Sequence, residues 1–284
     1  MPRLEKGFKP PATHELRATA FPKVDIVEYN CSGKMLYFSL VMLAFALLGL
    51  SVGSFLNLCI DRLPQHQSII NPPSHCPACH RRISPLDLVP PFNYLWLRGK
   101  CRYCHSPIPL RLPIVELATG LLFAFLYWKF GLSPQLGMSI VYASLLLLIF
   151  AIDLEHQLIL NRLVYPGMVV AFAFSFLELG VVNSLIGGAI GFGLLLLPHI
   201  IYPRGMGAGD VKLAAMVGLM TGYPKVFVAL FLAILAGGLV AALLLLLHLK
   251  KRTEPIPFGP FLATTALVTL LWGEAIYHWY LGWL

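Results

Sequence analysis

The sequence predicts an all-α polytopic membrane protein with about eight transmembrane helices and a small zinc-binding domain between the first two. Three observations predict it. Of its 284 residues 58% are hydrophobic and only 12% charged, where a soluble domain carries about 25% charged residues. The mean hydropathy is +0.76, and the apolar residues gather into runs near the ~20 residues that a bilayer demands. The bases lie in tails and loops flanking those runs, so topology and anionic lipid account for the net charge of +8 without nucleic acid.

Taken in order, residues 1–34 form a polar, proline-containing tail that reads as a disordered extension. The apolar run Met35 to Ile60 is too long for a signal-peptide core and reads as a span, with 35–59 as the first transmembrane helix. Residues 60–112 form a cysteine-containing loop domain, and 113–284 the main transmembrane domain. Spans fall at about 36–59, 113–131, 134–152, 163–181, 184–202, 209–222, 225–248 and 259–281. The sixth is the shortest.

The loop at 60–112 holds Arg62, Arg81, Arg82, Arg98, Lys100, Arg102 and Arg111 against Asp61 and Asp87. The positive-inside rule therefore assigns it to the cytoplasm. Alternation sends 153–162, 203–208 and 249–258 to the same side, the last with Lys250, Lys251 and Arg252, while the opposite turns have only Lys129 and Lys225 nearby. One element dissents: the outward tail carries six bases and four acids.

Within the loop, Cys76-Pro77-Ala78-Cys79 and Cys101-Arg102-Tyr103-Cys104 are two C-x2-C knuckles separated by 21 residues. Two thiolates on one tight turn can face one ion, and a second knuckle closes a tetrahedron with no open position, so the expected metal is structural zinc. Two disulfides or unligated thiols are the alternatives, the first disfavoured by a cytoplasmic setting. Cys59 reads as a helix-facing apolar residue, and Cys31 as a tail thiol without assignable role. His75, His80 and His105 flank the knuckles as solvated loop residues or substitute ligands. Phe92 to Lys100 mixes aromatics with bases, as either a packing seam or a contact for peptide, cofactor or membrane.

Asp153 and Asp210 stand at the edges of apolar stretches, and an acid at a helix centre costs about 2.5–3.5 kcal/mol on insertion scales. On the predicted topology one ends span three and the other begins span six, both at the cytoplasmic level. Two such acids point to paired acid–base chemistry, as in peptide hydrolysis, where one carboxylate activates water and the other donates to the carbonyl oxygen. Asp210 follows Gly205, Gly207 and Gly209 at a helix start, where free amides and the dipole favour the ionised form; Asp153 lies at a helix end, which favours the neutral acid. Asp210 is thus the expected resting base and Asp153 the resting acid. Gly207 and Gly209 would give the backbone close access to an extended substrate, and Lys212, Arg204, Glu155 and His156 stand near enough to tune the pair or hold substrate. A lone Gly-x-Gly-Asp also fits an ordinary helix start with Asp as N-cap, and the second acid is what raises the motif above that. Of the other acids in apolar segments, Glu178 and Glu274 read as interfacial and Glu116 as the functional candidate.

These residues resemble the type IV prepilin peptidases. Gly53-Ser54-Phe55-Leu56-Asn57 with Arg62-Leu63-Pro64 looks like their first-span signature, and the knuckles, Leu97 to Arg102 and Val115-Glu116-Leu117 like their cytoplasmic domain. Asp153, Gly207 to Leu213 and Pro257-Phe258-Gly259-Pro260 look like their peptidase half. The resemblance implies an inner-membrane, eight-span aspartic endopeptidase that cuts a basic leader from prepilins or pseudopilins after glycine, at the cytoplasmic face. It then methylates the new amine, usually of phenylalanine, with S-adenosylmethionine in bifunctional members. Carried over, Asp153 and Asp210 are the catalytic acids and Cys76, Cys79, Cys101 and Cys104 the zinc ligands; no nucleotide fingerprint locates the methyl-donor site, for which Glu116 and the stretch Phe92 to Lys100 are the candidates. One departure is Ile159-Leu160-Asn161, where the family usually has Ile-Pro-Asp. A proton- or cation-coupled transporter, or a related Gly-x-Gly-Asp protease of presenilin or preflagellin type, are the alternatives; the first leaves the leader-peptidase motifs unexplained and the second does not need the cysteine domain.

Overall fold

In the computed structural model the described residues are 31–71, 73–84, 92–202, 206–249, 251, 254 and 256–282. The polar tail up to residue 30, Asp87, Arg204, Gly205, Lys250 and Arg252 lie outside them. Contacts group the chain into Met1–Val41 and Met42–Leu284, and the second unit contains the knuckles and both aspartates.

The helices are α1 Cys31–Arg62, α2 Phe92–Trp96, α3 Arg111–Phe130, α4 Pro134–His156, α5 Asn161–Ser175, α6 Val181–Ile201, α7 Ala208–Thr221, α8 Lys225–Leu246 and α9 Gly259–Leu281. A helix covers most of every expected span, and among the described residues the extended pairing is confined to two isolated bridges, so the all-α class holds. Among the described residues six helices, α1, α3, α4, α6, α8 and α9, are long and apolar enough to cross a membrane. The other two fall short, α5 with 15 residues and α7 with 14. At 1.5 Å per residue they reach about 22 Å, against a hydrocarbon core of about 30 Å.

Local chemistry sets the ends. The Ser133 hydroxyl accepts from the Leu136 amide at 3.3 Å and Pro134 takes the first turn of α4, a pairing suited to a helix start. The helix stops at Gln157, which is left-handed with φ 51°. Gly222, φ 68°, stops α7.

The short helix is the most enclosed. Leu213, Ala214, Met216, Val217 and Met220 of α7 are fully buried, and α5, α6, α8 and α9 all pack on it. A helix that is apolar all round is a buried helix. Its closest neighbour is α6, where a Cβ on Gly187, Gly191 or Gly218 would run into the facing backbone. Small residues spaced by four let two membrane helices approach this way. The Ser184 hydroxyl then donates across the seam to the Leu219 carbonyl at 2.8 Å. The same device joins α1 to α3, with Gly49 and Gly53 against Glu116, Thr119 and Gly120.

Candidate active site and metal centre

The two knuckles fold as copies of one unit, offset by 25 residues. The Cys76 amide donates to the Arg81 carbonyl and the His80 amide to the Cys76 carbonyl; Cys101 with Ser106 and His105 with Cys101 repeat both bonds. His75 bridges to Arg82 as Lys100 bridges to Pro107, and His80 (φ 55°) and His105 (φ 57°) make the same left-handed turn. The ligand atoms of Cys76, Cys79, Cys101 and Cys104 thereby lie within 4.8 Å of one another, a set that could hold a metal ion. Cys76 Sγ and Cys104 Sγ are 3.8 Å apart. A tetrahedral zinc about 2.3 Å from each sulfur puts sulfurs about 3.8 Å apart, so the residues fit that ion. All four cysteines are free.

The electrostatics ask for a cation. The Cys79 amide, then the Ser106 hydroxyl, pull the Cys76 thiol down to about 6, and Ser106 also lowers Cys104. At Cys79 the Arg81 amide pulls down as well, but loss of hydration and the sulfurs of Cys104, Cys76 and Cys101 outweigh it and push that thiol up to about 11. Crowded sulfurs resist becoming thiolates together unless a positive ion joins them. His75, His80 and His105 stand outside the four-sulfur group and are exposed. Of the aromatic stretch, Tyr94 packs over Gly99, while Leu95 is 70% and Trp96 83% exposed.

Asp153 and Asp210 line one groove of about 820 Å³ and are near enough for direct electrostatic interaction. Its walls come from the end of α4, the start of α7, and stretches of α6, α8 and α9. Asp210 is the third residue of α7, and its Oδ2 accepts from the Gly207 amide at 3.3 Å. Asp153 sits in the last turn of α4, 4% exposed, and its Oδ2 has no hydrogen-bond partner within the protein. The Gly259 amide approaches this carboxylate. A Cβ on Gly259 would stand 3.0 Å from Asp153 Cγ, so the start of α9 presses its bare backbone against the acid.

Gly207 and Gly209 line the groove with the aspartates. Gly209 packs against Ile159, where a Cβ would meet the Ile159 Cβ at 2.9 Å. Lys212 is not among the lining residues. Its Nζ donates to Asn161 Oδ1 at 3.1 Å and lies 5.6 Å from the Tyr165 ring centroid. The departure at Asn161 therefore keeps a contact from α5 to α7, through a neutral acceptor. Glu116 is buried between α1 and α3, away from the groove, with Ser54 as its partner. Glu155 turns to Arg111, whose guanidinium bonds Glu155 Oε2 at 2.5 Å and Asp61 Oδ1 at 2.6 Å; His156 stays with Glu155 at 3.9 Å. Glu274 pairs with Lys225 at 2.8 Å.

Sequence reasoning missed the Gly259 contact, the Arg111 clamp and the glycine seam of α6. The spacing Gly187-x-x-x-Gly191 was a usable signal for the seam; a single arginine at a helix start gives none for the clamp.

These features define a multi-pass helical membrane protein with an acid pair on one groove and a tetracysteine cluster that fits a metal ion. The family models that match are the Bacterial Peptidase A24 N-terminal domain over residues 47–130 and the Type IV leader peptidase family over 140–242. A relative from Bacillus subtilis named prepilin leader peptidase/N-methyltransferase is 35% identical over 236 residues, covering 82% of this chain and 95% of the relative. A protein of the same name from Pseudomonas aeruginosa is 34% identical over 272 residues, covering 84% and 93%, and one from Stutzerimonas stutzeri 34% over 287 residues, covering 90% and 97%. The chain belongs to the type IV leader peptidase family. No solved structure gives a significant match.

Proposed function

We propose that the chain is a membrane-embedded aspartic endopeptidase of the bacterial inner membrane. It removes the leader of type IV prepilins or pseudopilins after a glycine and methylates the new N-terminal amine. The observation that carries this is the meeting of Asp153 and Asp210 on one groove, in a chain whose relatives are named for both activities. The family match leaves the transporter alternative without support.

In the proposed mechanism one carboxylate is ionised and takes a proton from water while the water oxygen attacks the scissile carbonyl carbon. The other gives its proton to the carbonyl oxygen. Collapse of the tetrahedral intermediate breaks the C–N bond, and a proton passes to the departing amine. Asp210 is assigned the base, because the Gly207 amide and the start of α7 favour its charge. Asp153, in the last turn of α4, is assigned the acid. Gly207 and Gly209 expose backbone along the groove for an extended substrate, and Lys212 is assigned to hold α7 against α5 beside it.

Eight crossings are supported by continuity. The Arg111 clamp ties the end of α1 to the end of α4, and the groove ties the end of α4 to the start of α7. Helices α5 and α6 must then leave and return, and α7 can be short because protein, not lipid, surrounds it. The excess of bases in 60–112 supports a cytoplasmic face for the cysteine domain and the groove. The four cysteines are assigned a structural zinc. S-adenosylmethionine supplies the methyl group; Glu116 is the candidate for its site, but the closed α1–α3 contact around that residue carries no transfer step.

Asp153→Asn and Asp210→Asn test the reading on a prepilin substrate. Each is expected to lower cleavage by about 10²–10⁴-fold, the usual scale of acid–base catalysis. Retained cleavage in both would remove the mechanism. Labelled S-adenosylmethionine in the wild-type assay is expected to label the cut product, and an active peptidase that transfers no label would remove the second activity.

A further inference from the structure

We propose that Gly237 and Gly238 of α8 form the floor of a side-chain subsite in the aspartate groove. They set the size of the apolar substrate residue that lies beside the scissile bond. The inference rests on the peptidase reading and adds a specificity determinant to it.

Two adjacent glycines inside a 22-residue helix need a reason, because glycine weakens a helix interior relative to alanine. Close packing supplies that reason elsewhere in this fold, at Gly187, Gly191 and Gly218, where a Cβ would strike backbone. It does not supply it here. A Cβ on Gly238 would meet nothing within 4 Å, and one on Gly237 would rest in ordinary contact, 3.5 Å from the rings of Phe258 and Phe261. Neither glycine has the left-handed backbone that side chains avoid. What the two share is the groove that Asp153 and Asp210 line.

Ile234, Gly237, Gly238 and Ala241 follow one face of α8 at helical spacing, and all four line that groove. Phe258 and Phe261 stand beside them. The floor is therefore apolar and open, with room for a bulky apolar side chain. A second observation marks the same groove as a ligand site: the buried Asp153 carboxylate lines it with Oδ2 unpartnered. A peptide carbonyl held between the aspartates projects the neighbouring side chain onto a wall, and this wall takes a large apolar one.

Gly238→Ala and Gly238→Leu, in the full-length enzyme, are assayed on paired prepilin substrates with phenylalanine or alanine beside the scissile bond, on each side in turn. Gly193→Leu is the control, since a Cβ there also meets nothing within 4 Å and the residue does not line the groove. On the side that enters the subsite, the kcat/KM ratio of bulky to small substrate is expected to fall at least tenfold in Gly238→Leu. The shift in Gly238→Ala has the same direction and is smaller than that in Gly238→Leu, since one methyl group takes up less of the floor than an isobutyl group. The control keeps the wild-type ratio. If Gly238→Leu does not fold, Gly238→Ala decides, because its methyl group enters open space. An unchanged ratio, or equal loss on both substrates, overturns the subsite while wild-type cleavage stands. Absence of wild-type cleavage on every substrate overturns the peptidase reading and the subsite with it.

Discussion

At the scale of single residues, the aspartates were readable because an acid beside hydrocarbon is expensive and needs a reason. Of their supports, Gly207 was read from the sequence, but the contact made by Gly259 was not, since a glycine at a helix start carries no such mark. Gly259 is the sharpest case: its bare backbone touches Asp153, and a Cβ there would stand 3.0 Å from the carboxylate carbon. Gly259→Ala must push the acid or α9 aside. Cleavage is expected to fall about 10²-fold, as a displacement near 1 Å does in an active site, while far-UV circular dichroism and thermal stability stay close to wild type. Wild-type activity in this variant would show that Asp153 does not need that position. Glu116 supplies a second residue-scale outcome. Buried against Ser54 and Gly53, it is expected to act through α1–α3 packing, so Glu116→Gln lowers cleavage and methylation together. Selective loss of methyl transfer would instead assign Glu116 to the donor site.

At the scale of elements, the C-x2-C spacing disclosed four cysteines that could share one ion, and the offset by 25 residues explains why they converge. Each knuckle is closed by the same pair of backbone bonds, so two copies present their sulfurs to one point. Metal removal by a strong chelator is expected to unfold this domain and leave the transmembrane helices intact. One zinc per chain should be found before treatment and none after. Acid should also release it, because ligand thiols must be deprotonated to bind; full folding of the metal-free domain would dismiss the structural role. The long helices were legible from apolar runs, and so was the shortness of α7, whereas the shortness of α5 was not. Hydropathy records what a helix avoids, not whether lipid or protein surrounds it, and α7 is sealed by neighbours. That seal depends on the α6 glycines. Gly191→Leu drives a side chain into the Ala214 backbone and is expected to cost about 1–3 kcal/mol through overpacking, read as a lower melting temperature with loss of cleavage.

At the scale of the whole molecule, the contacts turn loop charge into a consequence for every turn. Arg111 bonds Asp61 at the end of α1 and Glu155 at the end of α4, which brings those two helix ends together. The shared groove joins the start of α7 to the end of α4. On the proposed topology the connection from Gln157 to Leu160 is expected on the cytoplasmic side, and the one at Gly180, between α5 and α6, on the other. A 15-residue α5 can cross if the bilayer thins around it and its ends are interfacial. Cysteines introduced singly at Leu158 and Gly180 test this with a membrane-impermeant thiol reagent, the native thiols providing the background. Gly180→Cys is expected to react in intact cells stripped of their outer layers, and Leu158→Cys only in inverted vesicles. Reaction of both in the same preparation would mean that α5 does not cross. The two aspartates could then share a groove only if α6 also stays on one side, which its 21 apolar-rich residues argue against.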